Sequence, residues 1–99
     1  ALSIESFELR NTRQPGKTRM TAILRNRSKL PTRWPAMELT LTGPSNAVVV
    51  RKVLLPSQYL ENPRAQAAGM PPNSEQPIDL LLETSDLNLA GYSVALFYP

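Results

Sequence analysis

Ten prolines and four isolated glycines cut this 99-residue chain into short pieces. No piece between two breakers sustains an apolar period of 3.6, so long helices are excluded. Several pieces instead alternate apolar and polar residues with period two, the pattern of half-buried strands. Turns recur about every eight to twelve residues, which favours a sandwich or barrel over an α/β fold. The expected fold is all-β: an immunoglobulin-like antiparallel β-sandwich of six or seven strands with one short helical turn, formed by residues 1–99 as a single domain. The chain opens at Ala1 without methionine, signal peptide or transmembrane run, and is expected to be a soluble fragment of a longer parent.

The alternation assigns faces. In the first strand, Leu2 to Arg10, the parity changes between Ile4 and Phe7, which predicts a bulge or twist. Asn11 to Gly16 is a turn. From Lys17 to Asn26, Met20, Ala22 and Leu24 face the core, because Arg19 and Arg25 on the other face need water. Ser28 to Arg33 is a turn. From Trp34 to Thr42, Met37, Leu39 and Leu41 form a second core face, and Gly43 to Asn46 turns the chain back. Ala47 to Leu54 is a strand whose β-branched run fits either register, with Arg51-Lys52 at a possible bulge. Pro56 to Leu60 is one helical turn, proline standing at its first position. It places Tyr59 and Leu60 as a plug for the open end of the sandwich. Asn62 to Ser74 is a long loop. Ile78, Leu80 and Leu82 point inward from the next strand, and Ser85 to Ala90 connects to the last. There Tyr92, Leu96 and Tyr98 belong to the core or its rim.

The side-chain inventory excludes much chemistry. Cysteine and histidine are both absent, which removes the thiolate nucleophile, the commonest general base and the commonest metal ligands. No paired glycines form a phosphate-cradling loop and no Ser-x-x-Lys spacing occurs. No catalytic residue, cofactor or metal ligand, and no small-molecule substrate, is expected. Glu75, Asp79 and Glu83 share one parity and read as the soluble face of a strand, and Asn26 reads as an asparagine that satisfies turn backbone groups.

Charge is the one feature with functional content. Eight basic residues and no acidic one lie between Arg10 and Arg33, whereas residues 65–99 carry four acidic residues and no basic one. Arg19, Arg25 and Arg27 share a parity, Lys29 and Arg33 follow in the adjoining turn, and Trp34 stands beside them. This set is the candidate contact for an anionic surface: lipid headgroups, an acidic protein partner or nucleic acid. The competing reading is a charged edge strand that blocks aggregation.

Several segments together resemble a known family. They are Leu2-Ser3-Ile4-Glu5-Ser6, the run Thr21 to Arg27, Met37 to Thr42, the block Arg51 to Leu60, Ala67-Ala68-Gly69, Ser74 to Ile78, and the ending Gly91 to Pro99. In this order they resemble the C-terminal domain of unknown function of bacterial membrane proteins that begin with a zinc ribbon and carry one transmembrane helix. The resemblance implies a parent anchored in the inner membrane with this domain on the periplasmic side, and zinc ligands outside this chain. It transfers no catalytic residues. The expected function is a non-catalytic extracytoplasmic module that contacts another envelope protein or the anionic membrane surface. The alternative is a nucleic-acid-binding β-domain using the basic 10–33 stretch, although the strands lack stacking aromatics.

Overall fold

The computed structural model describes residues 2–84 and 89–99. The connection expected over 85–90 lies mostly outside the described residues. Among the described residues, six strands form two three-stranded antiparallel sheets. Strands β1 (Leu2–Asn11), β2 (Lys17–Asn26) and β5 (Ser74–Glu83) make the first sheet, in the order β1-β2-β5. Strands β3 (Ala36–Thr42), β4 (Val48–Leu54) and β6 (Gly91–Phe97) make the second, in the order β4-β3-β6. Local hairpins join β1 to β2 and β3 to β4, and the other connections cross between sheets. This arrangement is that of immunoglobulin-like strands A-B-E packed on C′-C-F.

The core forms where the two central strands face each other. Met20, Ala22 and Leu24 of β2 are buried against Met37, Leu39 and Leu41 of β3, with Ile78 and Leu82 of β5 and Leu54 of β4 closing one side. Period-two alternation therefore reads both central strands correctly. The bulge in β1 lies between Ile4 and Ser6, where the parity of the sequence changes.

Three expectations need correction. The bulge of β4 does not lie at Arg51-Lys52; the register shifts at Val49, between the pairs Leu41–Val50 and Thr42–Val48. Lys52 instead sits opposite Leu39 on the core-facing row, half-buried. The stretch Asn62 to Ser74 is not all loop. It holds a second helix, α2 (Pro63–Ala68), after α1 (Pro56–Tyr59). Asn62 Oδ1 caps α2 by accepting from the Arg64 N–H at 2.9 Å, Pro63 takes the first position, and Gly69 ends it at φ 80°. Finally, Leu96, expected to be buried, is only half-buried against the core, while Tyr92 and Tyr98, about half exposed, take the rim position of the core-or-rim expectation. The side of the sandwich between β1 and β6 has no third element over it among the described residues.

The two helices plug one end of the sandwich. Tyr59 is buried there and its hydroxyl donates to the Pro35 carbonyl at 2.6 Å. Met70 follows α2 and is fully buried, and its backbone pairs with Thr32 in both directions, at 2.7 and 3.0 Å. A Cβ on Gly69 would stand 3.0 Å from the Thr32 carbonyl oxygen, so glycine is required both for its φ and for this approach.

Candidate functional site

The basic residues of β2 lie on the outer face of the first sheet, but not alone. Because β2 is the central strand, carboxylates from both neighbours flank it. From β5, Asp79 takes Arg19 at 2.6 Å, Glu75 takes Arg25, and Glu83 lies 3.6 Å from Lys17. From β1, Glu5 takes Arg27 at 2.6 Å and lies 3.6 Å from Arg25, while Glu8 takes Arg10 at 2.6 Å. Five cations, Arg10, Lys17, Arg19, Arg25 and Arg27, thus face five carboxylates, Glu5, Glu8, Glu75, Asp79 and Glu83. Cations of the basic stretch interleave with carboxylates of β1 and β5, and the charge on this face cancels. Neither sequence reading of the stripe anticipates this: the line is not an unopposed cationic surface, and β2 is not an edge strand.

The other candidates separate from the line. Lys29 is exposed in the turn after β2. Arg33 is exposed too, with its guanidinium 4.7 Å from the centre of the Tyr98 ring and its carbonyl accepting from the Tyr98 hydroxyl at 2.9 Å. Trp34 is a correction. It is buried, its indole N–H donates to the Ala65 carbonyl at 2.8 Å, and it meets Tyr59 edge-on at 6.4 Å. The indole needs both an apolar bed and an acceptor, and α2 supplies the acceptor. Trp34 is therefore a core residue and has no face to offer a membrane.

Asn26 behaves as a turn asparagine and does more. It is fully buried; its Nδ2 donates to the carbonyls of Leu30, Met70 and Pro71 at 3.0–3.2 Å, and its Oδ1 accepts from the Ser28 N–H at 3.0 Å. It ties the β2–β3 connection to the segment after α2. Burial pushes the Tyr59 phenol above its ordinary pKa, with a smaller contribution from Tyr98. A cleft of about 390 Å³ between the helices and β5 is lined by Gln58, Leu60, Glu61, Asn62 and Asp79 among others, and Asp79 is already held by Arg19. Among the described residues no group of three or more Asp or Glu converges as a metal site would, and no helix is long and apolar enough to cross a membrane.

The outer face of the second sheet is the surface that reasoning from charge overlooks. Its row comprises Glu38, Thr40 and Thr42 from β3, Val48, Arg51 and Val53 from β4, and Ser93, Ala95 and Phe97 from β6. Only Glu38 and Arg51 are charged, and they lie 3.7 Å apart. Val48, Val49 and Val53 are all exposed. One face of the sandwich is thus a compensated charge lattice and the other is nearly uncharged.

A family profile described as "Protein of unknown function (DUF3426)" matches residues 1–96. The chain belongs to this family. The match covers the described domain from β1 through most of β6, so the two-sheet architecture is the architecture of a DUF3426 domain. No curated protein and no solved structure matches the chain.

Proposed function

We propose that this DUF3426 domain is a non-catalytic protein-contact module on the periplasmic side of a membrane-anchored bacterial protein. Its contact surface is the outer face of the β4-β3-β6 sheet. The extracytoplasmic setting rests on the resemblance drawn from the sequence. The choice of surface rests on one observation: the cations of β2 are paired across the first sheet, while the second sheet presents exposed valines among threonines with a single ion pair. Charge-depleted faces of this kind suit protein contact, because little has to be desolvated when they are covered. The same pairing takes away the observation that favoured anionic lipid or nucleic acid.

The test is site-specific photocrosslinking in the membrane-embedded parent. A benzoylphenylalanine at Thr40, on the uncharged face, should give a discrete protein adduct, identified by mass spectrometry and lost on Val53→Asp. The same probe at Thr21, on the ion-paired face, should give none. Adducts at Thr21 alone, or a Thr40 adduct indifferent to Val53→Asp, would overturn the assignment.

A further inference from the structure

Among the described residues the two three-stranded sheets have four free edges, and three of them are guarded. The β1 edge carries Glu5, Glu8 and Arg10 and is bent by its bulge. The β5 edge carries Glu75, Asp79 and Glu83 and is interrupted by Pro77. The β4 edge has its own bulge, Arg51, and a lysine, Lys52, on its core-facing row. Charges, prolines, bulges and inward-facing lysines are the devices that keep edge strands from pairing with other chains.

The β6 edge has none of them. Gly91–Phe97 contains no charge and no proline, and its register with β3 runs unbroken from Ala36–Phe97 to Thr42–Gly91. It also borders the thinly covered side of the sandwich. Leu2, Ile4, Phe7 and Leu9 of β1 and Val94 and Leu96 of β6 all pack on the core but stay half-buried. The two sheets are bridged on this side by Tyr92, whose ring lies 4.9 Å from that of Phe7 and whose hydroxyl donates to the Phe7 carbonyl at 3.3 Å.

We infer that β6 is a pairing edge whose partner is a second copy of this chain, joined antiparallel about a two-fold axis at Val94. The side chains argue for this occupant. In that register Val94 meets Val94 of the second copy, Ser93 meets Ala95, Tyr92 meets Leu96, and Gly91 meets Phe97. Every pair is uncharged. Small residues meet on the outer face, an aromatic ring meets an aliphatic chain on the core side, and each glycine lies beneath an aromatic ring, a pairing that offsets the weakness of an edge glycine. An isologous contact requires a self-complementary strand, and β6 is one. The product is a continuous six-stranded sheet, β4-β3-β6 with its mate, which also covers the half-buried row of each copy. The inference rests on the reading of the second sheet as the contact surface, but it concerns the edge of that sheet rather than its face.

Sedimentation equilibrium of the domain should show the mass rising from 11.0 kDa toward twice that value as concentration increases. The double variant Ser93→Lys with Ala95→Lys sets lysine against lysine across the axis while leaving the core side untouched. It should remain monomeric with an unchanged circular dichroism spectrum. The chain has no cysteine of its own, so Val94→Cys introduces a unique thiol, which mild oxidation should link between two copies; Val53→Cys on the opposite edge should not link. A domain monomeric up to millimolar concentration overturns the proposal. So does a dimer that survives the lysine pair, or one that links through Val53 and not Val94. A Thr40 adduct in the parent that persists in the Ser93→Lys, Ala95→Lys background would leave the face reading standing even if the edge reading fell.

Discussion

Two polar side chains hold the closed end of this sandwich together, and each is committed to backbone partners. Asn26 donates from one amide to three carbonyls and accepts one N–H, all within a fully buried site. Asn26→Leu removes the donor to three carbonyls and the acceptor of the Ser28 N–H, at about 0.5–1.5 kcal/mol for each hydrogen bond lost. Asn26→Asp should be worse at neutral pH, because a carboxylate in that position has three carbonyl oxygens around it. Urea unfolding should therefore rank wild type above Asn26→Leu and Asn26→Leu above Asn26→Asp, with the aspartate variant regaining stability as the pH falls and the carboxylate protonates. Tyr59 makes the second commitment. Its phenol titrates above its ordinary value because burial disfavours the phenolate. The folded state thus favours the neutral form, so this contribution is complete below the unfolded phenol pKa of about 10 and is lost as pH rises above it. Tyr59→Phe should lower the melting temperature at neutral pH by removing the bond to Pro35, yet flatten the loss of stability above pH 10. A variant as alkali-sensitive as the wild type would assign that loss to other groups.

At the scale of elements, the strands differ in how much each buries, and substitutions should report it. Leu39 of the central β3 is buried, whereas Leu96 of the edge strand β6 is half-buried. Leu39→Ala should cost about 2–5 kcal/mol. Leu96→Ala should cost clearly less in the monomer, since part of its surface is in water already. Equal losses in denaturant unfolding at low protein concentration would show that something covers β6. The same contrast decides what the sequence made legible. Strands β2 and β3 alternate charged or polar with apolar residues, and each has one face that can only be core. Strand β4 begins Val48-Val49-Val50, where polarity offers no contrast, and its bulge could not be located. The parity break from Ile4 to Phe7 exposed the β1 bulge because the residues around it do differ in polarity. Helix α2 is readable in principle, since Pro63 and Gly69 are start and stop signals six residues apart, but the same prolines and glycine also serve as loop punctuation. Cross-strand pairing was the part beyond reach. Arg19 and Asp79 are sixty residues apart, and only the strand order β1-β2-β5 brings β2 between two acidic neighbours. The burial of Trp34 is illegible in the sequence for a similar reason: its acceptor belongs to α2, thirty-one residues away.

For the molecule as a whole, the question is what an approaching surface would feel. The chain carries a net charge of +3, but the outer face of the first sheet contributes nothing to it, because its five cations and five carboxylates balance. The pair separations there, 2.6–3.6 Å, are far shorter than the screening length of about 8 Å at physiological ionic strength. Beyond the first water layers each pair acts as a dipole, and its attraction for an anionic surface falls off faster than that of a free charge. Only cations without a nearby carboxylate would contribute the ~1 kcal/mol apiece that a basic residue gains beside anionic lipid. The wild-type domain should therefore fail to co-sediment with anionic vesicles at physiological salt, and replacing Arg19, Arg25 and Arg27 with Gln should leave that result unchanged. The effect of the triple substitution should appear in folding instead. Exposed pairs contribute about 0–1 kcal/mol each, so the variant should be modestly less stable, and its stability should respond less to added salt than that of the wild type. Vesicle binding by the wild type that disappears in the triple-Gln variant would show that the pairs open at a membrane, and would return the basic line to the position of an anionic-surface contact.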